Sequence, residues 1–319
     1  MNVLPFFTKK IKVTKEGVYI LDPEIQKKIN KKTLSPSLVG AVLQSPADWV
    51  LNTFILDLCK REEKLALKRG CCFHEIMEQF FAFPEEDRDG EHLKQAFLTV
   101  INKEEYKNWV NENDNKQWLL KGLKSYGKSG AKPRNEKIAN IFVLGKQQLG
   151  IELDISGKIG NVKRNCYGKI DKILEGEKGL IIQDWKTGAT VHDYEHFYDK
   201  TIKHNDLDFD YWRQQTAYAM LLENAGFTVE SASLIFPFTE NGVTIVNVEH
   251  KNNEVREQVK KDYETADKIL IECTENKYFF PFKKGKWNGW SSWLGNLGKA
   301  PKPDVLEDKF MEIAEIEEE

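Results

Sequence analysis

Between Leu149 and Lys186 the chain reads LGIELDISGK, then CYGKIDKILEG, then KGLIIQDWKTG. These short apolar runs end in glycine and charged residues, the pattern of consecutive β-strands. The stretch Glu175-Gly176-Glu177-Lys178-Gly179 between the last two runs is a hairpin turn signal. Antiparallel pairing across it brings Asp171 beside Asp184. Side chains alternate faces along a strand, so Asp184 and Lys186 share one side and Trp185 points to the other. Helical patterns lie before and after these strands, an α/β composition.

Two clustered carboxylates repel each other unless a cation lies between them, and Mg²⁺ or Mn²⁺ prefers oxygen ligands. With Glu152 upstream and Lys186 two residues beyond Asp184, the segment has the parts for metal-assisted phosphodiester hydrolysis. Two helical patterns add to it. In RGCCFHEIMEQFF, the residues Ile76, Met77, Phe80 and Phe81 follow Gly70, Phe73 and His74 at the spacing of one apolar helix face. In DYWRQQTAYAMLLENAG, Gln214 and Tyr218 are four apart and share a face.

The order of an LSPS segment at residues 34–37, G-x-x-F-H, Glu152, G-x-I-D, D-x-K-T-G and Q-x-x-x-Y resembles the RecB-like branch of the PD-(D/E)XK nucleases, over Leu34 to Tyr218. The resemblance implies the PD-(D/E)XK fold, a mixed central sheet flanked by helices with helical elaboration. It also implies a Mg²⁺- or Mn²⁺-dependent deoxyribonuclease, usually an exonuclease, in DNA end processing, recombination or repair. Carried over, Asp171 and Asp184 hold the metal, Lys186 is the catalytic lysine, and His74 and the Trp185 carbonyl are further metal ligands. Glu152 acts through a water, Gln214 and Tyr218 order the site or touch DNA, Thr187 and Gly188 form the turn after the lysine, and Glu78 is a supporting residue. Many relatives carry an iron–sulfur cluster held by a cysteine before a proline and three near the C-terminus. Here the early position is Ser45-Pro46, and Cys59, Cys71, Cys72, Cys166 and Cys273 form no C-x-x-C; no iron–sulfur cluster is expected.

Net charge is −3 over 319 residues, yet the last sixteen residues (304–319) hold eight Asp/Glu and one Lys. The body then has 46 Lys/Arg against 42 Asp/Glu, which suits DNA as a partner. This sets residues 1–303 as a nuclease domain and 304–319 as an acidic tail, a solvated terminus or a docking peptide for a recombination or replication protein. Scattered cysteines and the lack of a long apolar run exclude a disulfide framework and a membrane span. The cytoplasm is the expected location, the host's if the chain is phage-encoded. Helices are expected to start at Ser35-Pro36 and Ser45-Pro46 and to cover 62–82, about 91–127 and about 253–273. VESASLIFPF and GVTIVNVEH read as paired strands and IKVTKEGVYIL as a strand. Two clusters stay outside this scheme: His192, His196 and His204 among aromatics, and Trp287, Trp290 and Trp293 among lysines. The alternative function is a noncatalytic DNA-binding or recombination scaffold on the same fold; a nuclease directed at RNA would use the same site.

Overall fold

The computed structural model describes residues 6–7, 10–14, 16–55, 65–112, 114–128, 136–187, 209–239 and 242–282. Gly188, the histidine cluster at 192–204, the tryptophan-rich 283–299 and the acidic tail lie outside the described residues. In chain order the elements are β1 (Phe6–Phe7), β2 (Ile11–Val13), β3 (Gly17–Ile20), α1 (Pro23–Asn30), α2 (Pro36–Gln44), α3 (Pro46–Val50), α4 (Leu65–Phe81), α5 (Gly90–Ile101) and α6 (Asn115–Lys128). There follow β4 (Asn140–Val143), β5 (Lys146–Leu149), β6 (Ile151–Gly157), β7 (Cys166–Glu175), β8 (Leu180–Trp185), α7 (Phe209–Asn224), β9 (Val229–Thr239), β10 (Gly242–Val248), α8 (Asn253–Glu275) and β11 (Phe279–Pro281). They divide into two compact units, one from Met1–Glu62, Ile159–Cys166 and Lys260–Glu319, the other from Glu63–Lys158 and Tyr167–Val259.

The first unit carries an antiparallel sheet in the order β1-β2-β3-β11. The expected N-terminal strand is here a hairpin, because Thr14 Oγ1 accepts the backbone N–H groups of Glu16 and Gly17 and turns the chain. Its helices start where the serines and prolines require. Ser35 accepts from Leu38 N–H and Ser45 from Asp48 N–H, each with proline at the first helical position, where no N–H is needed. Each such cap contributes about 1 kcal/mol.

The second unit is built on a five-stranded mixed sheet, order β10-β9-β8-β7-β6. β7 and β8 pair antiparallel from Glu175↔Leu180 to Lys172↔Gln183, the hairpin expected across residues 176–179. β8 and β9 run parallel, with α7 between them in sequence, and β9 and β10 pair antiparallel as expected. Helix α4 buries Phe73, Ile76, Met77, Phe80 and Phe81, spaced three and four apart, against α5, α6 and the sheet residues Leu174, Trp185 and Phe238. Each such side chain contributes about 1.5–3 kcal/mol on burial. The expected 91–127 span is two helices, separated by residues 102–114. Asn102 closes α5, and Asp114 takes a left-handed φ of 57° just before α6. The β4–β5 hairpin turns through Leu144 and Gly145, both at positive φ.

Within α6 two glycines have opposite surroundings. A Cβ on Gly122 would lie 2.2 Å from the buried Phe238 ring, whereas one on Gly127 meets nothing within 4 Å. Gly→Ala in a helix contributes about 1 kcal/mol by propensity, while overpacking costs about 1–3 kcal/mol. Thermal unfolding should therefore show Gly127→Ala melting above the wild type and Gly122→Ala melting below it.

Candidate active site

Helix α4 presents two faces. Phe73, Ile76, Met77, Phe80 and Phe81 enter the core, while Leu67, Gly70, Cys71, His74 and Glu78, again three or four apart, line a cleft of about 510 Å³. Glu75, Tyr106, Glu152, Lys169 and Thr187 complete its walls. Gly70 allows the close approach of Thr187, since a Cβ there would lie 3.2 Å from the threonine hydroxyl.

His74 and Glu152 of the cleft converge with the buried Asp171, each with one ligand atom within 4.8 Å of the others. His74 Nδ1 is 3.6 Å from Glu152 Oε1 and 3.5 Å from Asp171 Oδ2. Its Nε2 donates to the Trp185 carbonyl at 3.1 Å, which fixes the ring and aims Nδ1 at the carboxylates. Burial opposes a charge on His74, but the carboxylates of Asp171 and Glu152 outweigh it and hold the pKa up at about 10. Asp171 Oδ2 accepts the Trp185 backbone N–H at 2.8 Å, one residue beyond the last pair of the β7–β8 register. Glu152 has φ +47° at the start of β6, a left-handed conformation costing about 1–2 kcal/mol that persists only where surrounding contacts over-determine it.

Asp184 and Lys186 form the second half of the site. Their charged atoms are 2.5 Å apart, on the same side of the strand as alternation requires. Burial and the neighbouring Asp171 charge push the Asp184 pKa up to about 6, against the pull of the Lys186 ammonium. Burial works against the Lys186 charge as well, but Asp184 and Asp171 prevail and raise its pKa. Lys186 Nζ donates to Gln214 Oε1 at 2.7 Å, and Gln214 Nε2 donates to the Tyr218 hydroxyl at 2.9 Å. The Tyr218 ring rests on Gly168, where a Cβ would lie 2.6 Å from it. The glycine of G-x-I-D, the lysine of D-x-K and the Q-x-x-x-Y pair are thus one packed chain of contacts. Neighbouring Gln215 is buried and makes no part of that chain.

Three residues of this region escaped the sequence reading. Lys169 pairs with Glu152 Oε2 at 2.8 Å; its place two residues from Asp171 on the same strand was the available signal. Tyr211 lies under the Lys186 ammonium, 4.5 Å from ring centre to Nζ, and its spacing of three to Gln214 marked the same helix face. Lys172 is fully buried beside Asp171, bonded to Glu136 Oε2 at 2.8 Å and the Tyr126 hydroxyl at 3.1 Å, over the rings of Phe81 and Trp185. Burial pushes its pKa down. No pattern in the strand distinguishes this lysine from a solvated one.

The residues suit a divalent cation. Glu152 Oε1 is buried without a hydrogen-bond partner among the described residues, and it points into the trio with a nitrogen and a second carboxylate oxygen as neighbours. Oxygen donors with one imidazole match the preferences of Mg²⁺ and Mn²⁺. Among the described cysteines, Cys71, Cys72 and Cys273 are free thiols.

Comparison with known proteins follows the geometry. A sequence model of the PD-(D/E)XK nuclease superfamily matches residues 33–289. No curated protein matches. Among solved structures, a "putative exonuclease" from Eubacterium rectale is 12% identical, with 89% of this chain and 94% of that chain aligned and a TM-score of 0.53. At that identity the likeness shows the fold alone. A second structure, SSO0001, is also 12% identical over 79% of this chain and 98% of its own, but its TM-score of 0.26 carries no argument. The family match covers most of the sequence, the mixed sheet agrees with the family's fold, and the chain belongs to the PD-(D/E)XK nuclease superfamily.

Proposed function

We propose that this chain is a Mg²⁺- or Mn²⁺-dependent deoxyribonuclease of the RecB-like branch, an exonuclease in DNA end processing, recombination or repair. The observation that carries the reading is the convergence of Glu152, His74 and Asp171 within 4.8 Å of one another, beside a lysine held in place by Asp184 and Gln214. Asp171, Glu152 and His74 would hold the cation. Asp184 and the Trp185 carbonyl, which has a second lone pair beyond its bond to His74, are the adjoining donors. When bound, a divalent cation polarises a phosphoryl oxygen and lowers the pKa of a coordinated water.

The chain's own residues supply the rest. Lys186 places a positive charge where the attacking oxygen and the phosphate develop negative charge, and it does so without reorganising, because Asp184, Gln214 and the Tyr211 ring already hold it. Tyr218 on Gly168 stops Gln214 from swinging away. Lys169 neutralises Glu152 from its outer side. A noncatalytic scaffold is less well supported, since such a protein has no use for three potential metal ligands brought together beside a positioned lysine. No helix among the described residues is long and apolar enough to cross a membrane, and we place the activity on cytoplasmic DNA, the host's cytoplasm for a phage-encoded chain. A protein partner for the acidic tail belongs to the same proposal.

End-labelled linear DNA tests it. With Mn²⁺ the wild type should release label from one end progressively, and chelator should stop it. Lys186→Ala should lower the rate by at least about a hundredfold while remaining folded by circular dichroism. Cleavage by the variant at the wild-type rate would remove Lys186 from the mechanism. In calorimetric titration Asp171→Ala should bind Mn²⁺ at least about tenfold more weakly; unchanged affinity would take Asp171 out of the site.

A further inference from the structure

On the face of β7 opposite Asp171 lies a buried cation that the proposed mechanism does not use. Side chains alternate along the strand, so Lys172 enters the core while Asp171 turns to the site. Lys172 pairs with Gln183 in the β7–β8 register, which makes Trp185 its diagonal neighbour on the same face. The ammonium lies over three rings, 4.5 Å from the centre of Phe81, 5.4 Å from Trp185 and 5.6 Å from Tyr126. The Glu136 carboxylate supplies the counter-charge at 2.8 Å, and Arg88 fixes Glu136 in turn, its Nη1 donating to the Glu136 carbonyl at 2.6 Å. The Tyr126 hydroxyl accepts from Lys172 at 3.1 Å and donates to Glu136 at 3.3 Å. The Trp185 indole N–H is buried and makes no hydrogen bond among the described residues. What places this ring is packing: Phe81 stacks on it at 5.8 Å and 25°, His74 meets it edge-on at 6.0 Å, and Lys172 lies over it. The backbone of the same residue holds Asp171 by its N–H and His74 by its carbonyl.

We propose that Lys172 is a positioning residue for the metal centre: held by Glu136, it anchors the Trp185 indole and, through that residue's backbone, keeps Asp171 and His74 where a cation needs them. The inference rests on the metal-site reading above and adds the residue that steadies the site from the core. For stability alone a lysine is a poor occupant of this position. A buried ion pair is often matched or bettered by apolar side chains of similar volume, because both charges must leave water. A methionine would fill the same space and pack on the same rings. It would lack the electrostatic attraction between a desolvated cation and the face of an indole, which is the pull that an otherwise unbonded ring feels here. Groups standing behind metal ligands orient them in this way, and the ligands lose affinity when that support is removed.

The test uses Lys172→Met, which keeps the length of the side chain and removes its charge. A second variant combines it with Glu136→Gln, so that no carboxylate is left without its cation; where the single variant fails to fold, the double variant decides. In chelator, amide hydrogen exchange read residue by residue should show the Trp185 N–H accelerated at least about tenfold more than the Ile182 N–H in the ladder of the same strand. In calorimetric titration the folded variant should bind Mn²⁺ at least about tenfold more weakly than the wild type. A lysine with a structural role alone would lower the melting temperature and move both amides together, with Mn²⁺ affinity unchanged. That result would overturn the proposal. Absence of Mn²⁺ binding by the wild type would contradict the metal reading, and the exchange of Trp185 against Ile182 would still decide whether Lys172 anchors the tryptophan.

Discussion

The hydrogen bond from the Trp185 backbone N–H to Asp171 Oδ2 joins the two carboxylate strands at the point where their register ends. Inside a sheet that N–H would seek a carbonyl. Here it holds a carboxylate, so one of the site's charges is fixed by backbone instead of by a second flexible side chain. The same residue turns its carbonyl to His74 and its ring into the core between Phe81 and Lys172. Trp185 therefore couples core packing to the positions of Asp171 and His74. Each of these groups could move only by disturbing a buried indole.

Buried charge is costly unless it is paired, and the second unit of this chain buries several charges together. Lys172 with Glu136 and Lys186 with Asp184 each bring opposite signs into contact around the β7–β8 hairpin, and the exposed Lys169 pairs with Glu152 at the cleft. Glu152 Oε1 has the longer, 3.6 Å ion pair to His74, and the strained Glu152 backbone agrees with a carboxylate held for a ligand more than for the fold. The arrangement is fixed by the chain itself: the Trp185 carbonyl holds the His74 ring, and Asp184 and Gln214 keep the lysine at its post.

Much of this was legible in the order of residues. Strand alternation and the turn at 175–179 put Asp171 against Asp184, and Asp184 on the side of Lys186, because period two admits no other result. The helical period likewise separated Phe73, Ile76, Met77, Phe80 and Phe81 from His74. Other features left no such trace. The left-handed φ of Glu152 lies on a residue type that gives no warning of it, and Lys169 and Lys172 read alike although one sits at the cleft and the other is fully buried. The Arg69–Trp118–Phe238 stack joins residues from three distant segments, which no local period connects. The break between α5 and α6 depends on Asp114 adopting a conformation that propensity disfavours.

The account depends most on the cation at His74, Glu152 and Asp171, and metal-linked stability addresses it without any assumption about substrate. Unfolding should be followed by heat with chelator and with Mn²⁺ at increasing concentration, for the wild type and for Glu152→Gln, which keeps the shape of the side chain and removes its charge. A ligand at a hundred times its dissociation constant adds about 2.7 kcal/mol to the folded state. The wild type should gain melting temperature with Mn²⁺, and the variant should lose most of that gain. Equal gains in both proteins, or none in the wild type, would contradict a metal centre at this place.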